Sequence, residues 1–571
     1  MLSTSTLAPR YRWQLAPQPP DALLAAVRHP VLASALAGRG IVGAESARAF
    51  LAREVVDDNP FRLAGMAEAV ARLRAAIRAG ERVAVYGDFD ADGVTATALL
   101  ATTLRALGAD VVTFLPHRTR DGYGVHVHAL EDLVRHGVRL VVTVDCGVRA
   151  VAEIAAAAAF GLDVIITDHH APAHALPDAV AVIDPKRLDD AYGDTGLAGV
   201  GIAFKLAQAL LRASARADGR RSALAEEDLL DLVALGTVAD VAPLVGENRS
   251  LVHRGILALR AARRIGIRAL CEVAGLDPAA LSARDLGYTL GPRLNAAGRM
   301  DDARLALDLL LATDPERARE LATRLEGHNR TRRAATDVAV AEAQAALLGA
   351  TDAPLLAWSS PTVEPGVVGL VAGDLARAHY RPAIVLRVDG AMARASLRSI
   401  PEFDIVAALD AAGDLLERWG GHAAAGGLTV QTGRIPELID RLTGAAAGCL
   451  AGCDLRPALA IDASVAPDAL SWDLHHHLER LAPFGEGNPE PRLCAVGALV
   501  RTVRTVGQDH LKLSLGGPDG GAFDAIAFRQ ADRQVHVGHR LDVVGRLVDD
   551  SWQGRSRLQL VVDDLAASDT G

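Results

Sequence analysis

The sequence predicts an α/β protein of several domains: a parallel-sheet domain, a long connecting helix, a second α/β domain and a C-terminal antiparallel β-barrel. Three observations predict it. Between residues 81 and 184, short apolar runs without alternation are separated by helical periodicity, the pattern of parallel strands covered on both faces. Residues 314–348 keep a helical period well beyond the usual globular helix, long enough to join two lobes. From about residue 455, short alternating runs separated by turn residues indicate a small antiparallel barrel. A length of 571 residues agrees with about three or four domains.

In chain order, residues 1–80 read as an irregular start followed by helices, with 66–79 strongly helical. ERVAVYGD (81–88), VVTFLP (111–116), RLVVTVDCG (139–147), LDVIITDHH (162–170) and VAVID (180–184) are five strands, with helices at 94–107 and 149–160 between them. Residues 198–213 and 226–239 are helical. Beyond the long helix, PLLAW (354–358) and PAIVLRV (382–388) are strands, with helices near 367–379 and 404–418 and then GGHAAAGG (420–427). PALAIDASV, RLCAVGALVRTV, HLKLSLGG, FDAIAF, HRLDVVGRLV and RLQLVVDDL supply the barrel. The expected boundaries are a helical extension at 1–75 packing on the first α/β domain, that domain at 76–265, a helical connector at 266–350, the second α/β domain at 351–450 and the barrel at 455–567.

Composition narrows the function classes. The formal net charge is −10, whereas a purely electrostatic nucleic-acid binder is usually basic. Nucleic acid is not excluded, because binding depends on a local groove, and an enzyme that gathers carboxylates around metal ions carries an acidic bias. Five scattered cysteines imply no disulfide framework and point to a reducing compartment. Cys449 and Cys453 lack the second ligand pair of a zinc site. With no basic start followed by an apolar run and no long uncharged apolar stretch, a cytoplasmic protein without a membrane span is expected.

Chemistry concentrates at the strand ends. Asp88, Asp90 and Asp92 follow the first strand, and ligands of doubly wound sheets bind outside the carboxyl ends of strands. Like charges at alternate positions of one loop are costly unless a cation neutralises them. Asp145 ends the third strand, and Asp168, His169 and His170 end the fourth. Any one of these aspartates could cap a helix, but all finishing at one sheet edge are hard to explain by capping. Asp240 ends another apolar run and is a further candidate. Carboxylates with imidazole suit Mn²⁺ or Mg²⁺. Two such ions, with Asp145 between them, would make a phosphodiesterase that needs no Ser or Cys nucleophile.

YGDFDADG, TVDCG, ITDHHAP and GTVADVAPL resemble the four motifs of the DHH phosphoesterase superfamily. GPRLNAAGRM (291–300), RASLRSI (394–400), GGHAAAGG and LAPFGEGNPEP (481–491) resemble those of its bacterial single-strand-specific exonuclease family, from about residue 30 to the C-terminus. The resemblance implies a DHH domain, a connecting helix, a DHH-associated domain and an oligonucleotide-binding (OB) barrel. It implies removal of mononucleotides from the 5′ end of single-stranded DNA, with Mn²⁺ or Mg²⁺, in recombination and repair. It also implies that Asp90, Asp92, Asp145, His169 and Asp240 are metal ligands and that Asp88 coordinates or orients. His170 would face the scissile phosphate, and Asp168 would hold the histidines.

The later motifs have their own logic. Glycines let backbone approach a phosphate closely, so Gly421 and His422 are phosphate-pocket candidates, although a Gly-rich strand–helix turn explains them too. Arg299, Ser396 and Arg398 could clamp a terminal phosphate. Arg118, Arg120 and Tyr123 follow a strand on the catalytic side and could contact the entering nucleotide. In the barrel, Phe523, Phe528 and Trp552, with Arg504, Lys512, Arg529 and Arg555, could grip a single strand, although the aromatics fit a barrel core equally well. His475, His476 and His477 read as a solvated helix face. By analogy, single-stranded-DNA-binding protein and a helicase are partners, no membrane is involved, and the chain acts as a monomer. Two rivals are small-substrate phosphatases on the same core, which need no third domain, and scaffold members that have lost ligands. Every acidic and His position of the four motifs is present here.

Overall fold

The computed structural model describes residues 7–53, 59–218, 222–517, 521–550 and 556–568. The chain forms two compact units, Val55–Leu455 and a second made of Met1–Glu54 with Arg456–Gly571.

In the larger unit the five expected strands are Arg82–Tyr86, Asp110–Phe114, Val138–Val144, Asp163–Thr167 and Ala181–Ile183. All their pairings are parallel, and Arg82–Tyr86 lies between Asp110–Phe114 and Val138–Val144. Alternate residues enter two cores. Val83, Val85, Leu140 and Val142 pack on one side with helices Ala91–Ala106 and Gly199–Asp218, while Ala84, Tyr86, Val141 and Ile166 pack on the other with Val127–Arg135 and Val151–Ala159. The chain therefore leaves the first strand toward one side of the sheet and returns on the other. That makes the gap between Arg82–Tyr86 and Val138–Val144 a topological switch point, where α/β sheets open a crevice at the strands' carboxyl ends.

Beneath this edge, helix Gly199–Asp218 is tied to helix Gly246–Arg260 by a buried ion pair between Lys205 and Glu247, and Tyr192 donates its hydroxyl hydrogen to the same carboxylate. Glu247 is held above the usual carboxylate range by burial, against the pull of Lys205.

The long helix runs Pro315–Ala346, with Asp314 as its N-cap. The second lobe that follows is a five-stranded sheet in the order Leu416–His422, Ala425–Gln431, Met392–Arg398, Ala383–Asp389, Leu356–Ser360. The expected helix over 404–418 is corrected. Ile405–Ala411 is helical, Gly413 breaks it, and Leu416–His422 is an edge strand. A side chain at Gly413 would crowd the Trp419 ring at 3.0 Å. GGHAAAGG is accordingly a β-hairpin, with His422 opposite Ala425, and not a strand–helix turn.

In the smaller unit, strands Leu493–Val506, His510–Gly516, Ala522–Ala527, Leu558–Ala567 and Arg540–Asp549 close on themselves through pairing of the first with the last. Ala522–Ala527 and Leu558–Ala567 pair in parallel; the other ring pairings are antiparallel. The expectation for residues 1–75 needs correction. Arg12–Leu15 pairs with Ala458–Ile461, and Leu23, Leu32 and Leu36 share a core with Leu474, Leu478 and Leu493, so this stretch belongs to the C-terminal unit. Only its end, through Leu63, Met66 and Leu73, joins the catalytic core. An isolated apolar strand and helix face take whichever partner surface folding brings to them, which local sequence does not specify.

Phe523 packs against the barrel core, Phe528 is 48 % exposed, and Trp552 and Arg555 lie outside the described residues. The histidine run is not simply solvated: His475 Nδ1 meets the Leu547 carbonyl at 3.1 Å, and His477 stacks on His29.

Replacing Lys205 with Met leaves the Glu247 carboxylate buried without its cation, which costs about 3–5 kcal/mol. We expect a matching drop in the urea midpoint, largely recovered in a Lys205→Met/Glu247→Leu double variant. Equal losses in both variants would contradict this role for the pair.

Candidate active site

Asp88, at the end of the first strand, is buried, and its Oδ1 has no hydrogen-bond partner. Asp90 is the N-cap of helix Ala91–Ala106, its Oδ1 accepting from the Asp92 and Gly93 backbone N–H groups at 3.0 and 3.1 Å. Capping and clustering are therefore both true of Asp90. Asp92 turns the other way. Its oxygens accept from the Gly199 and Val200 N–H groups at 2.7 and 2.8 Å, so the start of helix Gly199–Asp218 partly offsets its charge. Position 199 has to be Gly, since a Cβ there would lie 2.7 Å from Asp145 Cβ.

Asp145 ends its strand in the left-handed region, φ 63°, which Asp tolerates better than most residues. This turns its Oδ1 toward His169 Nε2 at 3.0 Å, yet neither atom makes a hydrogen bond. Asp92 Oδ2 and Asp240 Oδ2 each lie 3.9 Å from the same nitrogen. Asp168 has a different task. Its Oδ1 accepts from the backbone N–H groups of His169 and His170 and from His170 Nδ1, and its Oδ2 accepts from Val148 N–H.

At this site, among the described residues, three groups of side chains bring ligand atoms within 4.8 Å of one another: Asp88/Asp90/Asp145, Asp92/His169/Asp240 and Asp145/His169/His170. The residues fit divalent cations. Buried acceptors without partners cost about 1–3 kcal/mol each, and here Asp88 Oδ1, Asp145 Oδ1 and His169 Nε2 all lie within one cluster.

The electrostatics agree. Burial, then mutual repulsion, raises Asp88 and Asp145 and pushes Asp92 up to about 7 and Asp240 up to about 9. Burial, then His170, lowers His169 to about 3, so its imidazole is neutral, as coordination requires. Asp168 is the exception. Burial would raise it, but the hydrogen bonds from His170 and the backbone hold it below its ordinary value, and they raise His170 in return.

Arginines line the rest of the site. Arg118 stacks over Phe89, 4.0 Å from the ring centroid. Arg299 is pushed down to about 9 by burial and by Arg118 and Arg332, and it remains a cation at neutral pH. Its Nη1 donates to the Gly366 carbonyl at 3.0 Å, joining helix Gly291–Met300 to the second lobe. A Cβ at Gly298 would lie 2.6 Å from the Phe89 carbonyl, and one at Gly366 would collide with the Arg299 carbonyl. Arg398 lies against the first turn of helix Val368–His379, beside Ser396.

Several expected contacts are placed differently. Tyr123 reaches His170 Nδ1 at 3.0 Å and the Asp145 carbonyl at 3.4 Å, so its hydroxyl is engaged within the cluster. Arg120 is exposed, and Gly421 and His422 lie exposed on the hairpin. Sequence reasoning missed Asn295, whose Oδ1 accepts from Ala91 N–H at 2.9 Å and braces the first aspartate loop. Its place in GPRLNAAGRM was the available signal.

Comparison with known proteins gives matches to the DHH family, N-terminal domain over residues 82–237, the DHHA1 domain over 352–448 and the RecJ OB domain over 461–564. The single-stranded-DNA-specific exonuclease RecJ of Bacillus subtilis is 36% identical over 99% of this chain and 72% of its own length. The crystal structure of RecJ in complex with Mn²⁺ from Thermus thermophilus superposes with a TM-score of 0.84 at 31% identity, covering 97% of this chain and 79% of that one. The complex of the same protein with Mg²⁺ gives 0.78 at 30% identity, over 98% and 78%.

Asp92 and Asp240 bind protons more tightly in the folded, metal-free protein than in the unfolded chain. That contribution to stability is complete below the ordinary carboxylate pKa of 3.8 and is lost as pH rises through about 7 and then about 9. We expect the melting temperature of chelator-treated protein to fall from pH 5 to 9, and saturating Mn²⁺ to remove most of that fall. The same pH slope with and without Mn²⁺ would contradict the cluster's role as a cation site.

Proposed function

The chain belongs to the RecJ family of single-stranded-DNA-specific exonucleases, and we propose that it removes mononucleotides from the 5′ end of single-stranded DNA by metal-dependent phosphodiester hydrolysis. The observation that carries the reading is the convergence of Asp88 Oδ1, Asp145 Oδ1 and His169 Nε2, buried and without hydrogen-bond partners, at the sheet's switch point.

Asp90, Asp92, Asp145, His169 and Asp240 would hold two divalent cations, Mn²⁺ or Mg²⁺, with Asp145 shared and Asp88 coordinating or orienting. When bound, the cations polarise the phosphoryl oxygens and make water acidic enough to attack near neutral pH. His170 holds a proton on Nδ1, directed at Asp168 Oδ1, which leaves Nε2 to face the scissile phosphate. Tyr123 helps fix that ring by sharing the Nδ1 proton and donating to the Asp145 carbonyl. Water adds to phosphorus, the P–O3′ bond breaks, and the new 5′ phosphate stays on the shortened strand. Arg398, Ser396, Gly421 and His422 would seat the terminal phosphate, with Arg118 and Arg299 along the strand behind it and Arg120 at the entrance.

The barrel offers a further surface for single strands, led by Phe528 with Arg504, Lys512 and Arg529. It also favours a polymer over the small substrates of phosphatases on the same core. No helix among the described residues is long and apolar enough to cross a membrane. We assign the chain to the cytoplasm and to DNA recombination and repair, acting as a monomer beside a helicase and single-stranded-DNA-binding protein.

Asp145→Ala should lower exonuclease turnover at least about a thousandfold, an effect of ~4 kcal/mol, while leaving the affinity for single-stranded DNA nearly unchanged. Retained turnover would rule out the two-metal assignment. Arg398→Ala and His422→Ala should each raise KM for 5′-phosphorylated ends about tenfold more than for unphosphorylated ends, measured on paired oligonucleotides. Equal effects on both ends would remove these residues from the phosphate pocket.

A further inference from the structure

Three of the 60 basic side chains (Lys plus Arg) are lysines: Lys186, Lys205 and Lys512. Lys205 is buried in its pair with Glu247, and Lys512 stands on the barrel. Lys186 follows the last strand of the catalytic sheet, at the edge that carries the metal-ligand candidates.

Its position is built. Ala181–Ile183 pairs with Asp163–Thr167, and Asp168 N–H donates to the Ile183 carbonyl at 3.1 Å, so the turn after Ile183 begins beside the Asp168–His169–His170 run. Asp184 is fully buried there. Its Oδ1 accepts from Lys186 N–H at 2.8 Å and fixes the turn. The neighbouring Arg187 is tied down, its guanidinium pairing with both oxygens of Asp189 at 2.9 and 2.6 Å and donating to the Val182 carbonyl. Lys186 has no such partner: it is exposed, and among the described residues its ammonium makes no hydrogen bond or ion pair. An unpaired ammonium on the turn beside the Asp168–His169–His170 run is available to an arriving anion. As a compact, strongly hydrated point charge on a flexible stem, it suits a single phosphate oxygen rather than a bidentate grip.

We propose that Lys186 contacts the substrate, its ammonium binding a non-bridging oxygen of a backbone phosphate in the strand over the Asp/His cluster. The proposal rests on the exonuclease reading and adds a contact from the catalytic sheet to those of the arginines.

The test compares wild type, Lys186→Gln and Lys186→Arg on a 5′-phosphorylated single-stranded oligonucleotide at saturating Mn²⁺. Kinetics are followed across a salt series, with Mn²⁺ affinity and melting temperature measured in parallel. Lys186→Gln is expected to lose about 10–100-fold in kcat/KM. Its slope of log(kcat/KM) against log[salt] should be shallower by about 0.7, the loss of one phosphate contact. Lys186→Arg should recover most of the rate, and neither variant should melt earlier. The proposal is overturned if Lys186→Gln stays within twofold of wild type. It is also overturned if the salt slope is unchanged while Mn²⁺ affinity shifts, because Lys186 would then only balance charge at the cluster. A wild-type protein that degrades no single strand would overturn the exonuclease reading itself, and this proposal with it.

Discussion

Parallel strands run about 4.8 Å apart, so acidic residues that end adjacent strands are forced into one another's field. Here Asp88 and Asp145 end neighbouring strands on either side of the switch point, and Asp168 ends the next. Water cannot screen them, because all three are buried. The fold manages part of this repulsion itself. Asp168 is neutralised by donors from His170 and three backbone N–H groups, and Asp92 faces a helix start that only Gly199 lets come so close. What remains, on Asp88, Asp145 and Asp240, is charge that bound cations would offset. The surrounding architecture, from the helix anchored by Lys205 to the loop braced by Asn295, keeps that remaining charge fixed in position.

The rest of the site has the opposite sign. Arg118, Arg299, Arg332 and Arg398 come from four separate segments, and the other three each depress the proton affinity of Arg299. Like charges that make no ion pair among the described residues suit a polyanion, just as the carboxylates suit metal ions. The second lobe approaches closely because Gly366 carries no side chain against the Arg299 carbonyl, and Gly298 lets the helix that bears Arg299 lie against the Phe89 carbonyl. Acidic and basic clusters side by side match a phosphodiester strand and its counter-cations better than either would alone.

The parts legible in the sequence are those set by local chemistry. Strands buried on both faces read as apolar runs, and each observed catalytic strand lies within or one residue from its expected range. The expected helix over 314–348 is Pro315–Ala346. The aspartates and histidines were legible because their spacing repeats at strand ends. The illegible parts depend on partners distant in sequence. Leu416–His422 is a strand only because Ala425–Gln431 pairs with it, and its Arg-Trp-Gly-Gly run carries no strand pattern. Arg12–Leu15 has its partner some 440 residues away, at Ala458–Ile461. Tyr123 was expected against the entering nucleotide, and its bond to His170 exists only once two loops meet.

One proposed property of the molecule decides the rest: that the Asp/His cluster, loaded with divalent cations, cuts single-stranded DNA stepwise from its 5′ end. The most direct measurement is product analysis on a single-stranded oligonucleotide labelled at the 5′ or the 3′ end, with Mn²⁺, Mg²⁺ or chelator. A metal-dependent 5′ exonuclease gives labelled mononucleotide from the 5′-labelled strand at the earliest times, a descending ladder from the 3′-labelled strand, and no product with chelator. Mononucleotide released first from the 3′-labelled strand, or degradation that survives chelation, would contradict it.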